Sequence, residues 1–174
     1  MKKTIVAGMV LYNPDMERLY KCVDSIFKQL DTLIIFDNSK DCNTNITNNS
    51  RIIYITEKGN KGLAYALNKI MRKALELGYQ WLVTLDQDTL LPNNLLKEYS
   101  KFIKYENVAI LTGQIIDNRR KYMKLQNKTG VTDVDFCITS ASCVNLNIWN
   151  DLNGFDEWLF IDFIDPQIRN YAPI

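Results

Sequence analysis

Apolar and polar positions alternate along the chain in blocks of two kinds. Short continuous apolar runs at 4–11, 33–36, 51–56, 81–85 and 108–112 are bounded by polar turn formers and predict buried strands. Between them apolar residues recur every three or four positions. Met16, Leu19, Tyr20, Val23, Ile26, Phe27 and Leu30 predict a first helix. Leu63, Ala66, Leu67, Ile70, Met71, Ala74 and Leu75 predict a second, with Gly78 as its C-terminal cap. Leu95, Leu96, Tyr99, Phe102 and Ile103 form the inward face of a third, running from Pro92 to Tyr105. Asn13 is the expected N-cap of the first helix, with Pro14 in its first position and Asp15 and Glu17 complementing its positive end. The stretch 38–50 reads as a loop, 114–134 is polar without a period, and a strand is expected to return at about 134–138. Apolar strands alternating with amphipathic helices predict an α/β fold with a mostly parallel central sheet and helices on both faces.

Composition narrows the chemistry. The 174 residues suit one domain spanning 1–174, and 47% hydrophobic residues with 7 Gly and 4 Pro exclude disordered and fibrous classes. Lys+Arg is 21 against Asp+Glu 20, so no overall field draws the chain to nucleic acid. There is no histidine, which removes the commonest general base, the commonest zinc ligand and every Ser-His or Cys-His pairing. Cys22, Cys42, Cys137 and Cys143 form no C-x-x-C pair. No apolar run reaches the roughly 20 residues that span a bilayer, and the N-terminal run lacks a signal-peptide cleavage pattern, so a reducing, cytoplasmic location is expected.

In an open parallel sheet the ligand crevice lies beyond the carboxyl ends of the strands. Those ends read Tyr12-Asn13, Asp37-Asn38, Lys58-Gly-Asn60-Lys61-Gly62 and Asp86-Gln87-Asp88. Asp86 and Asp88, one residue apart in extended chain, point to one side and suit a single Mg²⁺ or Mn²⁺ whose remaining ligands are water and substrate phosphate. Taken singly they also fit a solvated turn, as Asp37 fits a turn former. The start of the second helix offers N–H groups and Lys61 to a phosphate, or is simply capped. A D-x-D-x-T phosphatase pattern fails because Leu90 stands where its threonine belongs. A sugar nucleotidyltransferase would need a Gly-rich, Arg-containing loop after the first strand, which is absent.

The ordered set Val10-Leu-Tyr-Asn-Pro14, Phe36-Asp-Asn-Ser39, Asn60-Lys-Gly-Leu-Ala-Tyr-Ala-Leu-Asn68, Trp81-Leu-Val-Thr-Leu-Asp-Gln-Asp-Thr89, Ile138-Thr-Ser-Ala-Ser142 and Gly154-Phe-Asp-Glu-Trp-Leu-Phe-Ile-Asp-Phe-Ile-Asp165 resembles the GT-A fold glycosyltransferases of family 2, bacterial rhamnosyltransferase-like members in particular. The resemblance implies a GT-A-like three-layer sandwich. It places Tyr12, Asn13 and Asp37 near nucleobase and ribose, Asn60, Lys61 and Gly62 near the nucleotide, Gln87 among the nucleotide-sugar-binding residues, and Asp86 and Asp88 at diphosphate and metal, Asp88 being the direct ligand. It sets Ser140 and Ser142 beside sugar or acceptor, and assigns the base to Asp165, with Asp162 in reserve. The implied function is metal-dependent, inverting transfer of a sugar such as rhamnose from a dTDP- or UDP-linked donor to a glycan or lipid-linked hydroxyl in polysaccharide biosynthesis, in the cytoplasm or peripherally at the inner membrane face. Here the acidic motif leads into Pro166 and the acceptor-side region is expected to stop soon after 165. That leaves a catalytically silent nucleotide-sugar-binding fragment or partner subunit as the alternative, with a flank that allows a homodimer.

Overall fold

The computed structural model describes residues 3–42, 44–105, 107–113, 134 and 137–158. Asp162 and Asp165 lie outside the described residues, as does the polar stretch 114–133.

Each apolar run forms a strand where its hydrophobic residues can be covered on both sides. β1 (Lys3–Leu11), β2 (Leu33–Asp37), β3 (Ile52–Thr56) and β4 (Tyr79–Asp86) are joined by α1 (Met16–Phe27) after β1 and α2 (Leu63–Glu76) after β3. α3 (Leu95–Tyr99), β5 (Ile110–Leu111), β6 (Ser142–Asn145) and α4 (Leu146–Asp151) follow. The described strands make one six-stranded sheet in the order β3-β2-β1-β4-β6-β5. β1 to β4 are parallel, while β6 runs antiparallel to both β4 and β5, so the sheet is mostly parallel.

Alternation along the strands sends side chains to two separate cores. Val6, Ile34, Phe36 and Leu82 pack under α2 with Leu67, Ile70 and Met71, and the same layer takes in Trp149 of α4. Ala7, Met9, Leu11, Leu33, Ile35, Val83 and Leu85 face α1 and α3, meeting Leu19, Val23, Ile26 and Tyr99. The arrangement is the expected three-layer sandwich. Gly8 permits the close seat of α2, since a Cβ there would stand 2.6 Å from Ile70 Cγ2.

Three local expectations are corrected. Asn13 is not the cap of α1: it has φ 44°, and Asp15 takes the role, its carboxylate accepting from Arg18 N at 3.0 Å. The third helix is only Leu95–Tyr99, because the chain beyond it tightens into turns such as Phe102 N to Tyr99 O at 2.9 Å. Of the strand expected at 134–138, Val134, Cys137 and Ile138 are not in a strand and 135–136 lie outside the described residues; the strand described in this part of the chain is Ser142–Asn145. The apolar alternation at 134–138 mimics a strand, but the long-range match of Val83 with Cys143 and Leu82 with Val144 decides which segment pairs with β4. Among the described residues no helix is long and apolar enough to cross a membrane.

From β1 the chain moves out to β2 and β3, then returns across the sheet to β4 on the other side of β1. The order of strands therefore reverses between β1 and β4, and a crevice opens above their carboxyl ends.

Candidate active site

A cavity of about 290 Å³ occupies that crevice. Its apolar floor is Val10, Leu63, Leu67 and Leu85, and its polar rim is Tyr12, Asn38, Asn60, Thr84, Asp86, Gln87 and Thr139. An apolar floor with a few convergent polar groups suits a small organic ligand that carries charge at one end.

At the tip of β1, Tyr12 is half exposed and Asn13 adopts the left-handed backbone that asparagine tolerates. The Asn13 N–H donates to Ser39 Oγ at 2.8 Å, which fixes the β1 tip against the β2 tip. Asp37 lies behind this contact and is fully buried. Its Oδ1 accepts from Ser39 N at 2.8 Å and its Oδ2 from the Tyr54 hydroxyl at 2.5 Å, so the buried carboxylate is hydrogen-bonded on both oxygens. Asn38, also buried, accepts from Lys61 N at 3.1 Å and donates to Gly62 O at 3.1 Å. This carboxamide sets the start of α2 beside β2. Gly62, the N-cap of α2, has φ 90°, a conformation that a side chain disfavours, and Asn60 Oδ1 accepts its N–H at 2.9 Å.

The β4 tip turns sharply, with Thr89 N donating to Asp86 O at 3.1 Å, and this leaves Asp86 and Asp88 exposed. Ser140 buttresses the turn from the side: its hydroxyl lies 2.6 Å from Thr89 Oγ1 and 3.4 Å from Asp86 N. Cys22 supports it from below, its thiol donating to Thr89 O at 2.7 Å. Burial pushes that thiol up to about 11, and the negative charges of Asp88 and Asp86 add to the rise.

Two exposed carboxylates, with no group of three or more acidic, cysteine or histidine side chains around them among the described residues, do not make a closed structural metal site. They do fit a hard divalent cation that takes one or two carboxylates from the protein and completes its shell with water and phosphate oxygens.

Four of the expected site residues, Tyr12, Asn60, Asp86 and Gln87, line the cavity together, and Asn13, Lys61, Gly62, Asp88 and Ser140 adjoin those that do. Asp37 and Ser142 are fully buried instead, and the Ser142 hydroxyl donates to Ile138 O at 2.5 Å. Asp162 and Asp165 fall outside the described residues.

Residues 7–156 match the family model described as Glycosyl transferase family 2, which covers most of the chain. The chain belongs to glycosyl transferase family 2. The dTDP-rhamnosyl transferase RfbF of Shigella flexneri is 26% identical to it over 188 residues, an alignment covering 96% of this chain and 62% of that protein. The family 2 chain therefore spans about three fifths of that relative's length. Its fold superposes on S. aureus TarS with a TM-score of 0.69 at 16% identity, covering 94% of this chain and 32% of the other. TarS 1–349 in complex with UDP-GlcNAc gives 0.69 at 16%, covering 97% and 53%. The mannosyltransferase PcManGT of Pyrobaculum calidifontis, in complex with GDP-Man and Mn²⁺, also gives 0.69 at 16%, covering 94% and 49%. The expected GT-A-like architecture is the one observed.

Thr84 and Thr139 of the cavity rim carry no role in the sequence reading, and neither do two buried carboxamides that bond at α2 in this family 2 site. Asn38 is one. Asn68 is the other: buried on α2, it donates to Phe155 O and to Glu157 Oε1, both at 2.9 Å, and accepts from Phe155 N at 2.9 Å. It clamps the segment that leads into the acidic motif onto the helix that starts at the cavity. An amide within an apolar helical stripe is the signal that marks it, since a buried carboxamide must find partners.

Proposed function

We propose that the chain binds a nucleoside diphosphate sugar across the tips of β1, β2 and β4 and transfers the sugar to an acceptor hydroxyl with inversion. The observation that carries this reading is the convergence of Tyr12, Asn38, Asn60, Asp86 and Gln87 on one cavity at the point where the strand order reverses. The nucleoside lies toward Tyr12 and Asn13, with Asp37 acting through Ser39 to hold that wall. The phosphate side of the nucleotide lies toward Asn60, Lys61 and Gly62. Asp88, with Asp86, holds Mg²⁺ or Mn²⁺, which when bound neutralises the charge that collects on the departing diphosphate.

The acceptor oxygen attacks the anomeric carbon from the face opposite the diphosphate. The bond to carbon forms as the bond to the phosphate oxygen breaks, and Asp165 takes the hydroxyl proton, with Asp162 as the second candidate for that role. With no histidine in the chain, a carboxylate is the natural base. Asn68 contributes by fixing residues 155–157, just before that motif. Ser140 steadies the acidic turn and stands at the sugar side. The donor is a dTDP-linked sugar, dTDP-rhamnose in the first instance, with UDP-linked sugars next; support comes from the likeness to RfbF. The acceptor is a glycan or a lipid-linked hydroxyl, reached from the cytoplasm or the inner face of a membrane.

A thermal melt with dTDP, UDP and GDP, each with and without Mn²⁺, tests the reading. At a hundredfold excess over Kd a ligand of the folded state adds about 2.7 kcal/mol, which raises the melting point by about 5–10 °C at this size. The expected result is a shift with dTDP or UDP that grows with Mn²⁺ and loses that growth in Asp88→Asn. No shift with any nucleotide would overturn it.

A further inference from the structure

Gln87 is the middle residue of the acidic triplet, and its carboxamide is engaged with the β1 tip. Its Oε1 accepts from the Tyr12 N–H at 2.8 Å, and its Nε2 donates to the Tyr12 carbonyl at 3.2 Å. The side chain thus pairs with both backbone groups of one residue 75 positions away, as a neighbouring strand would. The in-register pairing of β1 with β4 ends at Val10 and Asp86, so this contact prolongs the β1–β4 junction beyond the last backbone pair, at the point where the strand order reverses. Tyr12 and Gln87 both line the cavity, and the next residue, Asn13, is tied to Ser39. A continuous set of hydrogen bonds therefore runs from the β4 tip through the β1 tip to the β2 tip.

We infer that Gln87 is a positioning residue for the nucleoside half of the ligand, although it sits in the triplet that carries the metal carboxylates. It acts by fixing the backbone of Tyr12, and with it the wall of the cavity on the β1 side. The inference rests on the nucleotide-binding reading above. Glutamine has the required chemistry because it offers one donor and one acceptor on one planar group. Glutamate retains the acceptor for the N–H but sets a negative oxygen against the Tyr12 carbonyl. Methionine keeps the length and offers neither bond. The adjacent aspartates have a separable task, since they are the candidates for the cation and Gln87, a neutral amide, is not.

The test separates the two halves of the ligand. Binding of dTMP and UMP is measured by calorimetry in EDTA, and binding of dTDP and UDP with and without Mn²⁺, for the wild-type chain, Gln87→Met, Gln87→Glu and Asp88→Asn. Gln87→Met is expected to weaken metal-free monophosphate binding by about tenfold, the worth of one or two net hydrogen bonds. It should leave the melting point of the unliganded protein unchanged, because Tyr12 is half exposed and outside the core. Gln87→Glu should fall between Met and wild type. Asp88→Asn should lose the gain that Mn²⁺ brings to dTDP and UDP binding, a loss Gln87→Met does not show. The inference is overturned if Gln87→Met binds the monophosphate normally, if it loses only the Mn²⁺ gain, or if its melting point falls in step with affinity. If the wild-type chain binds no nucleotide at all, the underlying reading fails and the inference with it, a result distinct from the other three.

Discussion

Cys143 shows how burial alone sets the behaviour of a side chain. It is fully buried in β6, opposite Val83 of β4 and Leu111 of β5, and burial raises its thiol well above the ordinary 9.0. Tyr99, whose hydroxyl donates to Ala141 O at 2.6 Å, is raised for the same first reason. In both cases the folded state favours the neutral form, so the stabilisation is complete below the ordinary value and is lost as pH climbs above it, where the unfolded chain releases its proton first. The melting point is therefore expected to fall as pH is raised from 8 to 10.5, and to fall less in Cys143→Ala; parallel profiles for the two proteins would count against this account. At the same scale the sequence marks the exposed residues better than the buried ones. Asp86 ends β4, Tyr12 follows β1 and Asn60 lies in the loop after β3, and position at a strand end is enough to bring these three to the crevice. The burial of Asp37 and Ser142 was not legible, because it depends on the partners Tyr54, Ser39 and Ile138 that the folded chain supplies.

Arg51 does for α1 what the helix cannot do for itself. The last turn of α1 contains no basic residue, and its carbonyls are met instead by the residue just before β3. Arg51 Nη2 donates to Phe27 O at 3.1 Å and to Leu30 O at 2.6 Å, and the guanidinium carbon stands 3.9 Å from the centre of the Phe27 ring. Charge at a helix C-terminus and charge-assisted bonds each contribute, so Arg51→Ala is expected to lower stability by about 1–2 kcal/mol in a urea titration. Arg51→Lys should recover less than half of it, since an ammonium lacks the planar fork that reaches two carbonyls while stacking on a ring. Wild-type stability in both variants would refute the capping role. The periodic stripes of α1 and α2 made these helices readable, because 3.6-residue spacing is a local property. Their ends were less so: Asn13 takes a left-handed backbone at the β1 tip, and the helix starts only at Met16, which makes Asp15 its cap. The strand at Ser142–Asn145 was hidden for another reason, a partner strand remote in sequence.

The whole molecule joins a legible frame to a site assembled by non-local bonds. Alternating strands and helices specify a mostly parallel sheet and direct attention to the carboxyl ends of its strands, while the strand order that places the crevice between β1 and β4 is set by non-local pairing. What the alternation could not contain is the stitching: Gln87 to Tyr12, Asn38 to Lys61 and Gly62, and Asn68 to Phe155 and Glu157. These contacts turn three strand tips and a helix start into one cavity and tie the segment before the acidic motif to α2. The central claim is that the Asp86–Asp88 turn holds a cation that in turn holds a diphosphate. A crystal of the chain grown with dTDP and Mn²⁺, with data collected for the anomalous signal of manganese, tests that claim most directly. The expected result is one strong manganese peak within coordinating distance of Asp88, bridging to the diphosphate, with the nucleoside beside Tyr12. Manganese elsewhere, or dTDP bound with both carboxylates turned into solvent, would contradict it.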